Sequence, residues 1–534
     1  MRNRMGGAAE LDREKREDGR KQTVAQQGQR GDAKIGTLLE GVEVRAGRPD
    51  ENLRIQQITN DSRKVHRGAL FVAIHGEATD GNLFATNAAE HGAAAILSGT
   101  AAPKDWSPEI PWIEVKEPRK ALATAAANFY GRPANALRLV GVTGTNGKTT
   151  TSSLIDSIVK ASGAKTGLFG TIAYHTPNGE KPAPNTTPES VDLQSFFAEI
   201  RDAGGTYATM EASSHALAME RLWGCHFAAV VFTNLTRDHI DFHKTFENYF
   251  AAKRRLFEGT GAGAPDAGVV NTDDEWGKKL VGLAKKTLTY GLQNGADLKA
   301  KKFQLSFNGL NFAAQTPNGT IQVESPLVGK INVYNILAAI GAGIGLGFSN
   351  AVIEAGIRNL HAVAGRFQRV DQGQPFLVVV DYAHTDDALD NLIKTAKELV
   401  TKGRIITVFG CGGSRDRTKR PIMGETSGRQ SDLSILTSDN PRQEDPLKII
   451  SDIVVGMQKS GGKYVIEADR AKAIKLAIEE ARAGDIVLLA GKGHENYQIF
   501  ADRTVHLDDR EEARKALVER GYAETPKGGG GIGT

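Results

Sequence analysis

Gly141-Val142-Thr143-Gly144-Thr145-Asn146-Gly147-Lys148-Thr149-Thr150-Thr151 decides how the rest of the chain is read. An apolar, β-branched run over residues 137–142 precedes the loop, and residues 149–161 follow with apolar side chains at helical spacing. Strand, glycine-rich turn and helix are therefore expected in that order. Glycines let the backbone curl closely around a polyphosphate, amides at the helix start offer positive ends, and Lys148 adds a mobile cation. Thr149 is then placed to hold a magnesium ion. The general phosphate-loop pattern puts four residues between its glycines, whereas two separate Gly144 from Gly147, so this is a GTNGKTT variant.

Length and composition bound the remainder. A chain of 534 residues is too long for one core and predicts roughly three domains. With 40% hydrophobic and 24% charged residues the composition is that of a soluble globular protein. The net charge of +4 is small and no basic block is interleaved with aromatics, so nucleic acid is not an expected partner. Cys225 and Cys411 stand in neither a CxxC nor a metal-ligand spacing, which predicts no disulfide framework or zinc site and fits a reducing cytoplasm. No apolar run reaches the roughly 18 residues that span a bilayer, and the charged N-terminus lacks a signal-peptide core, so no membrane insertion is expected.

Residues 1–33, dominated by charged residues, Gln and Gly, and the glycine-rich 526–534 are expected to be a disordered extension and a flexible tail. Between them three α/β domains are expected, over 34–133, 134–362 and 363–525. In the first, Asp61-Ser62-Arg63 leads into the apolar run 69–74; composition alone makes it a polar turn feeding a buried strand. Gly131-Arg132-Pro133 reads as a hinge.

In the second domain, Asn185-Thr186-Thr187-Pro188-Glu189-Ser190 is either a ligand-gripping hydroxyl loop or a Pro-set helix cap, and spacing does not separate the two. Two strand ends, Glu211-Ala212-Ser213-Ser214-His215 and Thr233-Asn234-Leu235-Thr236-Arg237-Asp238-His239, aim acid and imidazole groups toward the phosphate loop. Lys253, in an Ala-Ala-Lys-Arg-Arg stretch of the helix expected over 245–258, belongs in solvent on composition. Asn332 and Asn335 precede a small-residue helix expected over 336–346; three apart, they share a face that can meet a base or ribose, or simply cap the helix.

The third domain repeats one device. Apolar runs at 376–380, 405–409, 434–436 and 486–490 end in Asp381-Tyr382-Ala383-His384, Gly410-Cys411-Gly412-Gly413-Ser414-Arg415, Asp439-Asn440-Pro441-Arg442 and Gly491-Lys492-Gly493-His494-Glu495. Continuous apolar runs separated by helical segments predict a parallel sheet covered on both faces, with all four polar clusters on its carboxyl edge. ATP with magnesium is expected at the loop, and a ligand carrying both carboxylate and amine groups at this edge. An amine acceptor suggests ligation through an acyl phosphate, chemistry that depends on positioning and on neutralising phosphate charge.

GTNGKTT, NTTPES, MEASSHAL, DYAHT, GCGG.RDRTKRP, SDNPR and GKGHE in this order make residues 61–513 resemble the Mur ligases of peptidoglycan synthesis. The resemblance implies a small N-terminal UDP-binding domain, a central P-loop ATPase domain with a mostly parallel sheet, and a C-terminal Rossmann-like domain that binds an amino acid. It implies small-molecule substrates, UDP-N-acetylmuramoyl-dipeptide and meso-diaminopimelate, and a monomer. Ser62 then meets uracil, and Thr186, Thr187, Ser213 and Arg221 hold the muramoyl-dipeptide. Gly144, Thr145, Asn146, Gly147, Lys148, Thr149, Thr150, Asn332, Asn335, Arg366 and Asp381 bind ATP. Lys148, Glu211, His239 and Lys253 form the catalytic set; Thr149 and Glu211 hold one Mg2+, and His239 and Lys253 serve a second. The lysine matching Lys253 is carbamylated by carbon dioxide in the family, which overrides its solvent-facing reading.

Arg415, Asp439, Asn440, Arg442, Gly491 and Glu495 match the pocket for the incoming amino acid, and the Asp439-Asn440-Pro441-Arg442 form accompanies diaminopimelate rather than L-lysine users. Asp386 stands where proline is expected, and Ser414 where aspartate is common. Two alternatives stay open. One is a related or folylpolyglutamate-type ligase with another acceptor, against which residues 61–84 and the Asp439-Asn440-Pro441-Arg442 loop speak. The other is a non-catalytic nucleotide-binding regulator, which has no need of the full set Lys148, Glu211, His239 and Lys253.

Overall fold

The computed structural model describes residues 32–76, 79–293, 295–306, 309–400 and 402–522. The tail expected over 526–534 and nearly all of the extension expected over 1–33 lie outside them. Ala33 does not belong to an extension: the strand Ala33–Lys34 pairs antiparallel with Arg54–Ile55. The fold is α/β throughout, and the chain divides into two compact units at Phe129 and Tyr130.

The first unit is built on a sheet ordered Val44–Ala46, Trp112–Val115, Ala93–Ser98, Ala69–Ala73, Gln57–Thr59, antiparallel at its first pairing and parallel elsewhere. Ala69–Ala73 is buried along its whole length, as the continuous apolar run requires. Asp61-Ser62-Arg63 forms a 3-10 turn over Ser62–Lys64. The Asp61 carboxylate accepts from the Arg63 amide at 3.1 Å and its guanidinium at 2.9 Å, contacts that hold its pKa below the ordinary carboxylate value. Ser62 is buried.

The second unit contains two large sheets. In the first, parallel strands run in the order Thr166–Phe169, Tyr207–Glu211, Arg138–Thr143, Phe227–Phe232, Ala267–Asn271, Lys286–Gly291, Leu298–Ser306, and antiparallel strands extend both ends. Arg138–Thr143 lies between the two strands whose ends carry Glu211 and His239. Helices Lys148–Ala161 and Lys330–Gly345 cover one face, burying Leu154, Ile158, Ile336 and Ile340 against Val140 and Val269. Ser190–Asp202 and Phe246–Glu258 cover the other with Phe197, Leu256 and Phe257. The small-residue helix begins at Lys330 rather than 336, so Asn332 and Asn335 lie inside its first turns and do not cap it. Its small residues have a reason: a Cβ on Gly341 would stand 2.6 Å from Val269 Cγ1.

The second sheet runs Gln368–Val370, Leu377–Asp381, Ile486–Ala490, Ile405–Phe409, Leu433–Leu436, Tyr464–Ile466, parallel after its first pairing. Separate apolar clusters fill its two faces, one with Leu389, Ile393, Met423 and Ile453, the other with Ile474, Ala477 and Leu517. Its four central strands therefore end on one edge.

Candidate active site

Gly147, at φ 86°, precedes helix Lys148–Ala161 without any side-chain cap. That leaves the first amides of the helix for an anion. Close packing fixes the loop glycines: a Cβ on Gly144 would fall 1.9 Å from Thr233 Oγ1, and one on Gly147 2.4 Å from Asn335 Oδ1. The neighbouring strand end braces the loop. Thr145 and Asn146 amides donate to the Asn234 carbonyl at 2.8 Å and to its Oδ1 at 2.9 Å, and Thr233 Oγ1 donates to the Asn146 carbonyl at 2.6 Å. Lys148 Nζ donates to the Gly144 and Thr145 carbonyls at 3.0 and 2.9 Å. Burial lowers its pKa, against the opposing pull of Glu211 and Asp238.

Lys253 is buried, not solvated. Helix Phe246–Glu258 points Tyr249, Lys253, Leu256 and Phe257 inward, a stripe at helical spacing that outweighs the neighbouring arginines. Lys253 Nζ donates to the Gly144 carbonyl at 2.7 Å and lies 4.5 Å from the centre of the Tyr249 ring. Burial, with Lys148 nearby, pushes its pKa well below the usual lysine value. Two amines thus share one carbonyl oxygen.

Glu211, also buried, accepts from the Thr171 amide at 2.9 Å and its hydroxyl at 3.1 Å. His239 sits at φ 53°, 3.3 Å from Asp238, with its pKa pushed down to about 4 by burial against the raising effect of Asp238. The half-exposed ring is therefore a neutral imidazole near pH 7. No group of three or more His, Cys, Asp or Glu side chains among the described residues is set to hold a metal. Around the loop the donors are the Thr149 hydroxyl, the Glu211 carboxylate, the His239 imidazole and the Lys253 amine. A hard divalent cation prefers oxygen, and neither the His239 imidazole nor the Lys253 amine offers an anionic one.

The hydroxyl loop caps a helix and packs against the Glu211 strand end. Glu189 caps helix Ser190–Asp202, and Thr187 Oγ1 donates to the Glu211 carbonyl at 2.7 Å and to Ser213 Oγ at 3.2 Å. Thr186 lies 3.3 Å from Thr171, and Arg221 donates to the Thr187 carbonyl at 2.9 Å and pairs with Glu189 at 3.2 Å. Thr187 thus touches the Glu211 carbonyl directly, Ser213 and Arg221 are joined to Thr187, and Thr186 reaches Thr171, which bonds the Glu211 carboxylate.

The second sheet also reaches the loop. Arg366 donates to Thr149 Oγ1 at 3.1 Å, its guanidinium 4.9 Å from the Tyr382 ring centre. Asp381 accepts from the Phe367 and Ala383 amides at 2.7 and 2.8 Å, so it fixes the Arg366 turn, and burial raises its pKa against Arg366. Asp387, which sequence reasoning missed, accepts from Asn146 Nδ2 at 2.6 Å and Thr236 Oγ1 at 3.0 Å. Beside it lies a cavity of about 230 Å³ lined by Asn146, Asn271, Asp273, Tyr290, Tyr334 and Asn335 among others. Asn335 faces this cavity. Asn332 stands behind it, accepting from Asn335 at 2.9 Å and donating to the Val328 carbonyl at 2.7 Å, so it supports the face rather than lining it.

On the carboxyl edge Asp439, Asn440, Gly491 and Glu495 come together. Arg442, at φ 52°, donates to the Gly413 carbonyl at 3.0 Å, and Arg415 is exposed on the same loop. Ser414, also at φ 52°, donates its amide to Glu444, and the buried Arg420 holds Glu444 at 2.9 Å and the Gly412 carbonyl at 3.2 Å. Lys492 is fully buried within this cluster. The sequence assigns it no role beyond membership of the Gly491-Lys492-Gly493-His494-Glu495 motif, because nothing in the pattern marks a lysine as buried.

Comparison with known proteins agrees with this geometry. Family models described as "Mur ligase family, catalytic domain", "Mur ligase middle domain" and "Mur ligase, glutamate ligase domain" match residues 54–130, 142–343 and 365–493. A UDP-N-acetylmuramoyl-L-alanyl-D-glutamate-2,6-diaminopimelate ligase of Solibacter usitatus is 50% identical over 92% of this chain and 99% of its own length. The enzyme of that name from Bacillus velezensis is 46% identical over 87% of this chain and 94% of its own. A solved structure of a ligase of the same name is similar with a TM-score of 0.66 at 35% identity, covering 92% of this chain and 99% of that one.

Proposed function

The chain belongs to the Mur ligase family, and from that premise we propose that it joins meso-2,6-diaminopimelate to UDP-N-acetylmuramoyl-L-alanyl-D-glutamate at the expense of ATP, in the cytoplasm and as a monomer. The observation that carries the reading is the convergence of Lys148 and Lys253 on the Gly144 carbonyl, with Glu211 and Arg366 beside the same loop. Two amines on one acceptor in a buried site await anions.

Lys148 and the free amides of the helix start receive the terminal phosphates, and Arg366 adds a cation from the second sheet. The cavity beside Asn335 and Asp387 is suited to the base and ribose, being concave, reached by Asn and Asp side chains and continuous with the loop through Asn146. Thr149 and Glu211 would offer oxygens to one magnesium, and the His239 nitrogen with a carbamate on Lys253 would offer donors to another. Bound magnesium would neutralise charge on the transferring phosphoryl group. The depressed pKa of Lys253 supplies the neutral amine that carbon dioxide needs, and the carbamate formed, with release of one proton, furnishes the missing anionic donor.

The substrate carboxylate attacks the terminal phosphorus and ADP leaves. The amine of diaminopimelate, held on the carboxyl edge, attacks the resulting acyl carbon; phosphate departs with the C–O electrons and the nitrogen loses its proton. Thr186, Thr187, Ser213 and Arg221, linked to the Glu211 strand end through Thr187 and Thr171, are the residues for the dipeptide end. Ser62, buried in its own 3-10 turn, serves the uracil. The far carboxylate of diaminopimelate goes to Arg442 and Arg415, and its ammonium to Glu495.

The deciding assay supplies purified protein with ATP, magnesium and the UDP-muramoyl-dipeptide. Phosphate should appear only when diaminopimelate is added. Release with L-lysine alone overturns the acceptor, and no release with any amino acid favours a nucleotide-binding regulator.

A further inference from the structure

The reaction described above makes no use of Lys492, yet no polar side chain on the carboxyl edge is more enclosed. Its ammonium donates to Asn440 Oδ1 at 3.1 Å, Glu495 Oε2 at 3.2 Å and the Tyr497 carbonyl at 2.7 Å, with Asp439 Oδ1 at 3.4 Å. Asn440 is spent in the same knot: its Oδ1 also accepts from the Ile499 amide at 3.0 Å, and its Nδ2 donates to Glu495 at 2.9 Å. Asn440 thus braces Glu495 and Lys492. Beneath the knot Arg470 holds the Ser438 and Ala490 carbonyls at 3.4 and 2.9 Å, and Asp509 already cancels its charge.

The charge balance gives Lys492 its meaning. Asp439 and Glu495 are two carboxylates in one enclosed cluster, and Lys492 is the cation that touches both. Beside the cluster, the Arg442 guanidinium donates to the Gly413 and Asn440 carbonyls at 3.0 and 3.4 Å, and Arg415 stands on the loop of Gly413. With Lys492 in place the cluster carries one net negative charge, matched to one ligand ammonium, and the arginines keep their field for a ligand carboxylate. Without it two uncompensated carboxylates favour a ligand whose far end is only cationic and oppose one that also brings a carboxylate.

We propose that Lys492 is a specificity-determining positioning residue: by pairing with Asp439 and Glu495 it biases the pocket toward an amino acid with a zwitterionic far end over one with a lone ammonium. This rests on the ligase reading above. The test compares kcat/KM for meso-diaminopimelate and L-lysine in the wild type, Lys492→Met and Lys492→Arg, together with KM for ATP. A ratio taken on one preparation does not depend on how much of it folds. Lys492→Met should shift the ratio toward lysine by about tenfold or more, mostly through KM for diaminopimelate, with KM for ATP unmoved. Lys492→Arg keeps the charge and should hold the ratio within about threefold of wild type. An unmoved ratio in Lys492→Met, or an equal shift in both variants, overturns the assignment while leaving the ligase reading intact. A wild type that ligates neither amino acid overturns the ligase reading and this assignment with it.

Discussion

Lys253 shows how much one residue's neighbours decide. Next to Arg254 and Arg255 it looks like a solvated cation, but its side chain follows Tyr249 and Leu256 into the core and ends on the Gly144 carbonyl. A charged ammonium there faces both burial and Lys148, so the amine form is favoured and carbon dioxide can add to it. Protein equilibrated with 13C-bicarbonate should show a carbamate carbon resonance that Lys253→Ala lacks, and ligation should fall by about a hundredfold or more in that variant. A resonance that survives the substitution would move the modification elsewhere. Only the resemblance to the family singled out this residue in the sequence, against its composition; the inward stripe and the shared carbonyl were not read there, and the latter depends on a loop distant in sequence. Asn440 adds a second case: its motif marks it for the amino-acid pocket, and its hydrogen bonds to Lys492, Ile499 and Glu495, made by loops distant in sequence, were not legible there.

Single contacts at helix starts carry much of the load between elements. Helix Asp386–Leu399 begins with Thr385 capping the Ala388 amide, and acids at its first two positions suit the helix dipole. Asp386 in place of the expected proline is thus compatible with the helix start. Asp387 does more, since one of its oxygens takes both Asn146 and Thr236. Charged hydrogen bonds of this kind contribute about 1.5–3 kcal/mol. Asp387→Ala should therefore raise KM for ATP by about tenfold while KM for diaminopimelate stays put; equal changes in both would deny it a local role. Arg470 and Asp509 are the first residues of Arg470–Glu480 and Asp509–Glu519, and both are fully buried. Removing one partner leaves an unpaired buried charge, so Arg470→Met should destabilise the protein by about 3–5 kcal/mol in urea titration, and Arg470→Met with Asp509→Leu should recover most of the loss. The four strand ends were readable, because uninterrupted apolar runs between helical segments leave few arrangements. The straps across them were not, because an acid in a first helical turn already has a local explanation.

At the scale of the whole molecule, burial has fixed imidazoles in their neutral form. His243, which shares a hydrogen bond of 2.9 Å with Ser214, and His494, beside Tyr382, are both pushed down to about 4, chiefly by desolvation, and desolvation lowers His384 as well. In the unfolded chain each returns to about 6.5. Between those values the unfolded state binds more protons than the folded one, so stability rises with pH through the window and is lost as pH falls from 6.5 toward 4. Asp381 and Asp387 act with the opposite sign, since burial raises their pKa and makes the folded state hold protons more tightly above pH 3.8. Those two carboxylates retain hydrogen-bond donors that oppose the rise, so the imidazoles prevail. Each contributes a slope of at most about 1.4 kcal/mol per pH unit. The urea midpoint of the nucleotide-free protein should fall steadily from pH 7 to pH 5, and His494→Asn should flatten that dependence by about one proton; a midpoint that holds or rises on acidification would mean that these rings are charged in the folded state.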